Sequence, residues 1–248
     1  MLGIDVSNYT GAIDAARAEA LHAAGVRRAV VGTQYPAPPY PSGVAHAQIP
    51  ALLDAGIEVQ AYVYLWLAED TAAQVRAAVQ RLAPWQGRIA RLWLDVEDTS
   101  APAQSPPQHV QAVRAAVAAC GPFAPGIYTG AWWWRPHTAD THAFAQLPLW
   151  VAQYDGERNL DFSPFGGWTR AAMKQYAGSA TFAGVPHVDL DWYEEEILPL
   201  TEQEFGWAFA ALYRGVAGVA FPLRIRWGER AVNAAGEQVH ALIVGGRR

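Results

Sequence analysis

Through the first 130 residues the chain alternates between two hydrophobic periods. Short apolar runs rich in Val, Ile and Leu, near 2–6, 28–33, 57–65, 91–96 and 124–129, have the length and composition of strands. Between them, Ala-rich stretches near 12–24, 44–55, 70–83 and 106–119 space their apolar residues as helices do. This alternation predicts parallel strands with crossover helices. The turns agree, because LHAAGVRRAVV and LLDAGIEVQAYV each put Ala-Gly between a helix and a strand pattern, with Gly25 and Gly56 as left-handed C-caps. Thr71 with Gln74 reads as a capping box, and Ser105 before Pro106 as an N-cap followed by proline in the first turn.

After residue 130 the rhythm changes. PLWVAQYD, TRAAMKQYA and HVDLDWY read as short strands joined by Gly- and Pro-containing loops, with no clear helix between them. The expectation is an α/β fold, an irregular TIM-like (β/α) barrel over residues 1–198 with helices missing in its second half. Residues 199–248 read as an appended extension, with a helix over EQEFGWAFAALYR and a hairpin around RIRWGERAVNAAGEQVHALIV. Phe205, Trp207, Phe209, Leu212 and Tyr213 make that helix apolar around much of its circumference, so it must bury surface. It either packs on the barrel's own side or serves self-association or particle docking through residues 201–248.

Composition narrows the function. A chain of 248 residues, 52% hydrophobic, is neither disordered nor fibrous. A net charge of -5 and a pI near 5.8 give no electrostatic reason to expect nucleic acid or an anionic membrane as partner. No apolar run reaches membrane-spanning length, and MLGIDVSNYT lacks the pattern of a signal peptide, so none is expected if Met1 is the native start. The single Cys120 leaves no intrachain disulfide or cysteine zinc site and reads as a buried structural thiol. The seven histidines show no metal-binding spacing, and Ser7 and Ser179 lack a nucleophile elbow, so neither a metal, a cofactor nor a serine hydrolase is expected. Eleven tryptophans and ten tyrosines exceed the usual needs of a core this size. Core packing is the commoner place for any one of them, yet some are expected to face a ligand.

In such a barrel the site lies where strands end. Asp5 ends the first strand, Gln34 follows the second, Tyr62 and Tyr64 lie on the third, and Asp95-Val96-Glu97 ends the fourth. Tyr128 ends the fifth; Trp150 and Gln153, then Gln175, then Asp189 and Asp191 mark the last three. Trp132, Trp133 and Trp134 follow Tyr128, where at least one must turn inward and one is a candidate for stacking on a sugar. The most specific segment is RLWLDVEDT, since residues two apart on a strand share a face, roughly 6.6 Å apart along it. Two carboxylates so placed suit glycosidic cleavage, one protonated to donate to the leaving oxygen and one ionised to stabilise positive charge at the anomeric carbon. The spacing falls between the ranges for retaining and inverting enzymes.

GIDVSNYTG, LWLDVEDT, GIYTGAWWW, PLWVAQYDG and VDLDWY, in that order over residues 1 to about 198, resemble the glycoside hydrolase family 25 lysozymes, the Chalaropsis-type N-acetylmuramidases. The resemblance implies an irregular β/α barrel that hydrolyses the β-1,4 bond between N-acetylmuramic acid and N-acetylglucosamine, with bacterial peptidoglycan glycan strands as partner. By position, Asp5 matches the family's first-strand aspartate, Asp95 and Glu97 its D-x-E, and Asp189 the aspartate of its VDLN-like motif. Glu97 is then the general acid. Asp95 orients the substrate's acetamido group if the family uses substrate assistance, or helps to position water if it inverts. Two departures stand out: Thr33-Gln34 where the family often has glutamate, and Asp191 where it has asparagine. Gln34 still offers hydrogen bonds to a sugar, and Asp191 raises the pKa of one carboxyl beside it. Such an enzyme acts on the cell wall, released by lysis, carried on a phage particle or secreted without a classical signal.

Two rivals remain. One is a glycan-binding or structural virion protein on the same barrel, against which the retention of Asp95 and Glu97 counts. The other is a barrel chitinase, whose D-G-x-D-x-D-x-E signature is not matched by the IARLWL before Asp95.

Overall fold

The computed structural model describes residues 1–33, 43–89, 91–100 and 104–194, with four short strands between 223 and 246. Gln34 and the helix expected over 202–214 lie outside the described residues. Residues Met1–Glu194 form one compact unit and Glu195–Arg248 another.

Eight strands close the first unit into a barrel in chain order: β1 (Leu2–Val6), β2 (Val26–Gly32), β3 (Glu58–Tyr64), β4 (Arg91–Asp95), β5 (Ala124–Thr129), β6 (Leu149–Ala152), β7 (Met173–Phe182) and β8 (Val185–Tyr193). Strands β1 to β7 pair in parallel, whereas β8 runs antiparallel to both β7 and β1. The helices α1 (Ala15–Ala23), α2 (Gly43–Asp54), α3 (Thr71–Leu82) and α4 (Pro106–Ala118) cross between successive parallel strands. Alternation along each strand divides the core. Ile4, Val31, Val59, Leu92, Leu94 and Val151 belong to the apolar layer shared with the helices, whereas Val30, Trp93, Tyr128, Trp150 and Met173 fill the interior. Both faces are thus dry, which is why these strands read as continuous apolar runs.

Large interior side chains fit because glycine lies beside them. A Cβ at Gly126 would lie 2.4 Å from the Trp93 ring, and one at Gly32 would lie 2.8 Å from the Tyr62 hydroxyl. Gly25 and Gly56 end their helices at φ 98 and 78. At α4, Ser105 is the N-cap and Gln108 Oε1 accepts from its backbone N–H at 2.8 Å. The box expected at α3 is replaced. Asp70 is the N-cap there, and Gln74 instead accepts from the backbone N–H of Trp66 and donates to its carbonyl. Thr71 Oγ1 donates to Ala112 O on α4, so the hydroxyl ties two helices together rather than capping its own.

The second half differs from its sequence pattern in two places. A fifth helix, α5 (Ala131–Thr138), runs from β5 toward β6 through AWWWRPHT, whose three adjacent tryptophans and proline hide any helical period. Trp133 and Trp134 are buried and Trp132 is exposed. Between β6 and β7 no helix is present among the described residues. Part of that stretch is held by the buried Lys174, whose Nζ donates to Asp155 Oδ2 and Asn159 Oδ1, both at 2.8 Å. β7 and β8 form a hairpin, which sequence periodicity does not distinguish from a parallel pair.

In the second unit, β9 (Leu223–Arg224) pairs antiparallel with β12 (Val244–Gly246), and β10 (Ala231–Val232) with β11 (Gln238–Val239).

Candidate active site

The antiparallel course of β8 decides what reaches the barrel mouth. Asp189 pairs with Asp5 and Asp191 with Gly3, so Asp189 meets the rim where the parallel strands end while Asp191 lies a layer deeper. Asp5, Asp95, Glu97 and Asp189 thereby converge: Asp5 feels the charge of Asp189 and Glu97, Asp95 that of Glu97 and Asp5, and Glu97 that of Asp189.

Gln175 on β7 organises the cluster. The hydroxyls of Tyr128 and Tyr154 both donate to its Oε1 at 2.7 Å, which turns its amide nitrogen toward the acids. That nitrogen donates to Asp5 Oδ2 at 2.6 Å and Asp189 Oδ2 at 3.3 Å. Asp189 also accepts from the backbone N–H of Ser179. Glu97 follows β4 on a segment held from both sides. Val96 N donates to Tyr128 O, Thr129 Oγ1 donates to Val96 O, and Asp98 accepts from Leu67 N, Ser100 N and Ser100 Oγ. Trp133, the tryptophan that turns inward, donates from Nε1 to Asp98 O.

Burial and mutual repulsion set the acidities. Glu97 is pushed up to about 7, first by burial and then by Asp189. Asp95 is raised well above the usual carboxylate value by burial, then by Glu97 and Asp5. Burial also raises Asp5, with Asp189 and Glu97 adding to it and the Gln175 hydrogen bond opposing. Asp189 is raised by burial, while its bond from Ser179 N–H lowers it. Asp95 is 6% exposed, and its Oδ1 has no hydrogen-bond partner among the described residues.

Three expected site residues lie elsewhere. Asp191 is 0% exposed and accepts from Trp150 Nε1 at 2.8 Å, so both it and the buried Trp150 lie beneath the rim. Trp150 is floor instead, packed against Tyr128 with ring centroids 4.4 Å apart and against Tyr62 at 6.2 Å. Gln153 has the opposite strand parity from Ala152 and donates to Asp155 Oδ2 and Asp161 O, away from the acids. The residue that does reach them is Tyr154, in step with Trp150 and Ala152. Its phenol is pushed up to about 12, chiefly by burial. Sequence reading passed over both Tyr154 and Asp98. Two-residue alternation from Trp150 points to Tyr154; nothing in sequence marks Asp98 as a loop anchor. Tyr64 packs edge-on to Trp66 at 5.3 Å, its phenol raised by burial and by Asp98, Asp95 and Glu97.

Among the described residues no group of three or more His, Cys, Asp or Glu side chains is arranged to hold a metal, and no helix is long and apolar enough to cross a membrane. The buried Cys120 thiol is pushed up to about 12 by burial.

Comparison with known proteins gives a consistent result. A probable GH family 25 lysozyme 2 of Dictyostelium discoideum is 33% identical over 146 residues, covering 56% of this chain and 68% of that protein. The bacterial lysozyme from Streptomyces coelicolor shares the fold at a TM-score of 0.62 and 22% identity, over 79% of this chain and 92% of its own. The family GH25 lysozyme from Aspergillus fumigatus also matches at 0.62, with 20% identity over 82% and 96%. The model of the glycosyl hydrolases family 25 matches residues 4–185, most of the barrel that brings the acids together, so this chain belongs to that family and is a glycoside hydrolase.

Proposed function

We propose that the protein is a peptidoglycan hydrolase that cleaves the β-1,4 bond between N-acetylmuramic acid and N-acetylglucosamine, with Glu97 as general acid. The observation that carries this reading is the gathering of Asp5, Asp95, Glu97 and Asp189 at one rim of the barrel around the Gln175 amide, where burial and then Asp189 push Glu97 up to about 7 and so leave it a proton to give. That proton passes to the glycosidic oxygen as the bond to the anomeric carbon breaks, and the bonding pair leaves with the oxygen. Asp189, the acid that accepts from both Ser179 N–H and the Gln175 amide, is best placed to stay ionised and stabilise the positive charge. Asp95 supplies an acceptor, its unpartnered Oδ1, suited to the N–H of the substrate's acetamido group as that group's oxygen attacks the anomeric carbon; water then adds at that carbon, giving a proton to the Glu97 carboxylate as the acetamido oxygen leaves. The relatives' names, lysozymes throughout those compared above, support the substrate class.

Loss of turbidity of purified peptidoglycan, with identification of the new reducing end as muramic acid, tests the bond. In Glu97→Gln the amide keeps the shape without the proton, and hydrolysis should fall by roughly 10²–10⁴ with the thermal melt still cooperative. A folded Glu97→Gln protein that lyses at the parental rate would remove Glu97 from the role.

A further inference from the structure

Lys174 lies on β7 between Met173, which fills the barrel interior, and Gln175, which donates to Asp5 and Asp189. Strand alternation therefore turns it outward. It pairs with Val151 of β6, a residue of the apolar layer that the helices cover in the first half of the barrel. No helix crosses between β6 and β7 among the described residues, yet Lys174 is 0% exposed. The segment after Tyr154 lies over it instead. All three N–H bonds of the ammonium go to that segment: to Asp155 Oδ2 and Asn159 Oδ1 at 2.8 Å each, and to Asp161 O at 3.3 Å. Taking an ammonium out of water is costly, and an apolar side chain of similar size would cover an outer strand face without that cost. What the lysine adds is a fixed position for the atoms it bonds.

Those atoms adjoin the site. Gln153 N donates to Gln175 O at 3.1 Å and Gly156 N to Tyr176 O at 3.0 Å, so residues 154 and 155 lie between two backbone bonds to β7. Within that span two neighbouring side chains grip two neighbouring residues of β7 from opposite faces. On the inner face the Tyr154 hydroxyl donates to Gln175 Oε1 at 2.7 Å, and on the outer face Asp155 accepts from Lys174. Gln153 Nε2 reinforces the outer grip with bonds to Asp155 Oδ2 and Asp161 O. Tyr154 is 60% exposed, so packing does little to hold its ring, and its place depends on the segment that carries it.

We propose that Lys174 is a positioning residue for the reaction: by holding Asp155 on the outer face of β7 it keeps the Tyr154 hydroxyl on Gln175 at the inner face, and so aims the amide that donates to Asp5 and Asp189. This rests on the hydrolase reading above. The effect belongs in kcat, because the groups at the end of the chain of contacts act on charge that develops in the transition state. Misplacement of a reacting group by 1 Å costs roughly 10²-fold; Tyr128 still donates to Gln175 Oε1 when Tyr154 is lost, so the loss here is smaller, roughly tenfold.

The test is a double-mutant cycle on kcat and KM in the full chain, with soluble peptidoglycan fragments as substrate: the parent, Lys174→Met, Tyr154→Phe and the two together. Each single change should lower kcat roughly tenfold with KM little altered, and the double should fall no further than the worse single, because both remove one contact. A lysine that only stabilised the fold would lower the melting temperature and leave the folded enzyme's kcat unchanged. Should Lys174→Met fail to fold, Asn159→Ala, which removes one anchor and keeps the ion pair, enters the same cycle, and its smaller loss of kcat should vanish in the Tyr154→Phe background. Parental kcat in the folded variant, a loss confined to KM, or losses that multiply in the double would each overturn the proposal while the parent's cleavage leaves the hydrolase reading intact. A parent that cleaves no peptidoglycan fragment would overturn both.

Discussion

A carboxyl with a pKa near neutrality is half protonated there, and the alkaline limb of kcat/KM for a general acid follows that value. Glu97, at about 7, should therefore give activity that falls as pH rises through about 7. After burial, Asp189 is the larger influence on it, and removing that like charge lowers the acid's pKa. Asp189→Asn should move the limb to lower pH as well as reduce kcat, checked by pH–rate profiles on one soluble substrate. A limb unmoved, or moved upward, would mean that Glu97 is not the titrating acid. At this scale the sequence was informative, because Asp5, Asp95, Glu97 and Asp189 could be named from strand position and motif. Neighbours in sequence face opposite ways here: Gln153 bonds Asp155 and Asp161 O, whereas Tyr154 bonds Gln175 beside the acids.

Among the elements, β4 and β5 show how far the interior depends on one missing methyl. Trp93 is buried and donates from Nε1 to Gln60 Oε1 at 2.6 Å, so its ring cannot move aside when a Cβ is added at Gly126. Gly126→Ala should destabilise the barrel by about 1–3 kcal/mol, as overpacking of a dense interior does, read as a lower urea midpoint at unchanged slope. An unchanged midpoint would show that the indole has room to shift. The first four helices were legible because each has an apolar face and a cap or glycine stop. α5 was not, since its tryptophans are consecutive and its helical conformation is imposed by burying Trp133 and Trp134.

For the molecule as a whole, the buried acids tie stability to pH. Asp5, Asp95 and Asp191 are raised well above their ordinary values by burial and mutual charge, and Glu97 to about 7, so the folded barrel binds more protons than the unfolded chain. Their stabilisation is complete below the unfolded carboxyl values near 4 and is lost as pH rises through the folded ones. Asp155 acts in reverse: burial tends to raise it, but the hydrogen bond from Lys174 and those from Gln153 and Glu157 N–H lower it, so its contribution is lost in acid. The Tm should fall from about pH 5 to about pH 8. Asp191→Asn, which keeps an acceptor for Trp150 Nε1, should flatten that slope, as melts across the series would show. A Tm rising over that interval would contradict the charge assignment.

The sequence by itself determined the strand and helix alternation through β5, the five motifs in their order, and the residue types of the site. These are local or periodic properties that survive reading one chain position at a time. Tertiary structure decided the rest. Only closure of the barrel with an antiparallel β8 separates Asp189 at the rim from Asp191 beneath it, two residues that look equivalent along the chain. Burial, with the charge of Asp189 brought beside it, raises Glu97 to about 7, because the cost of charge depends on what surrounds the group in space and not on its neighbours in sequence.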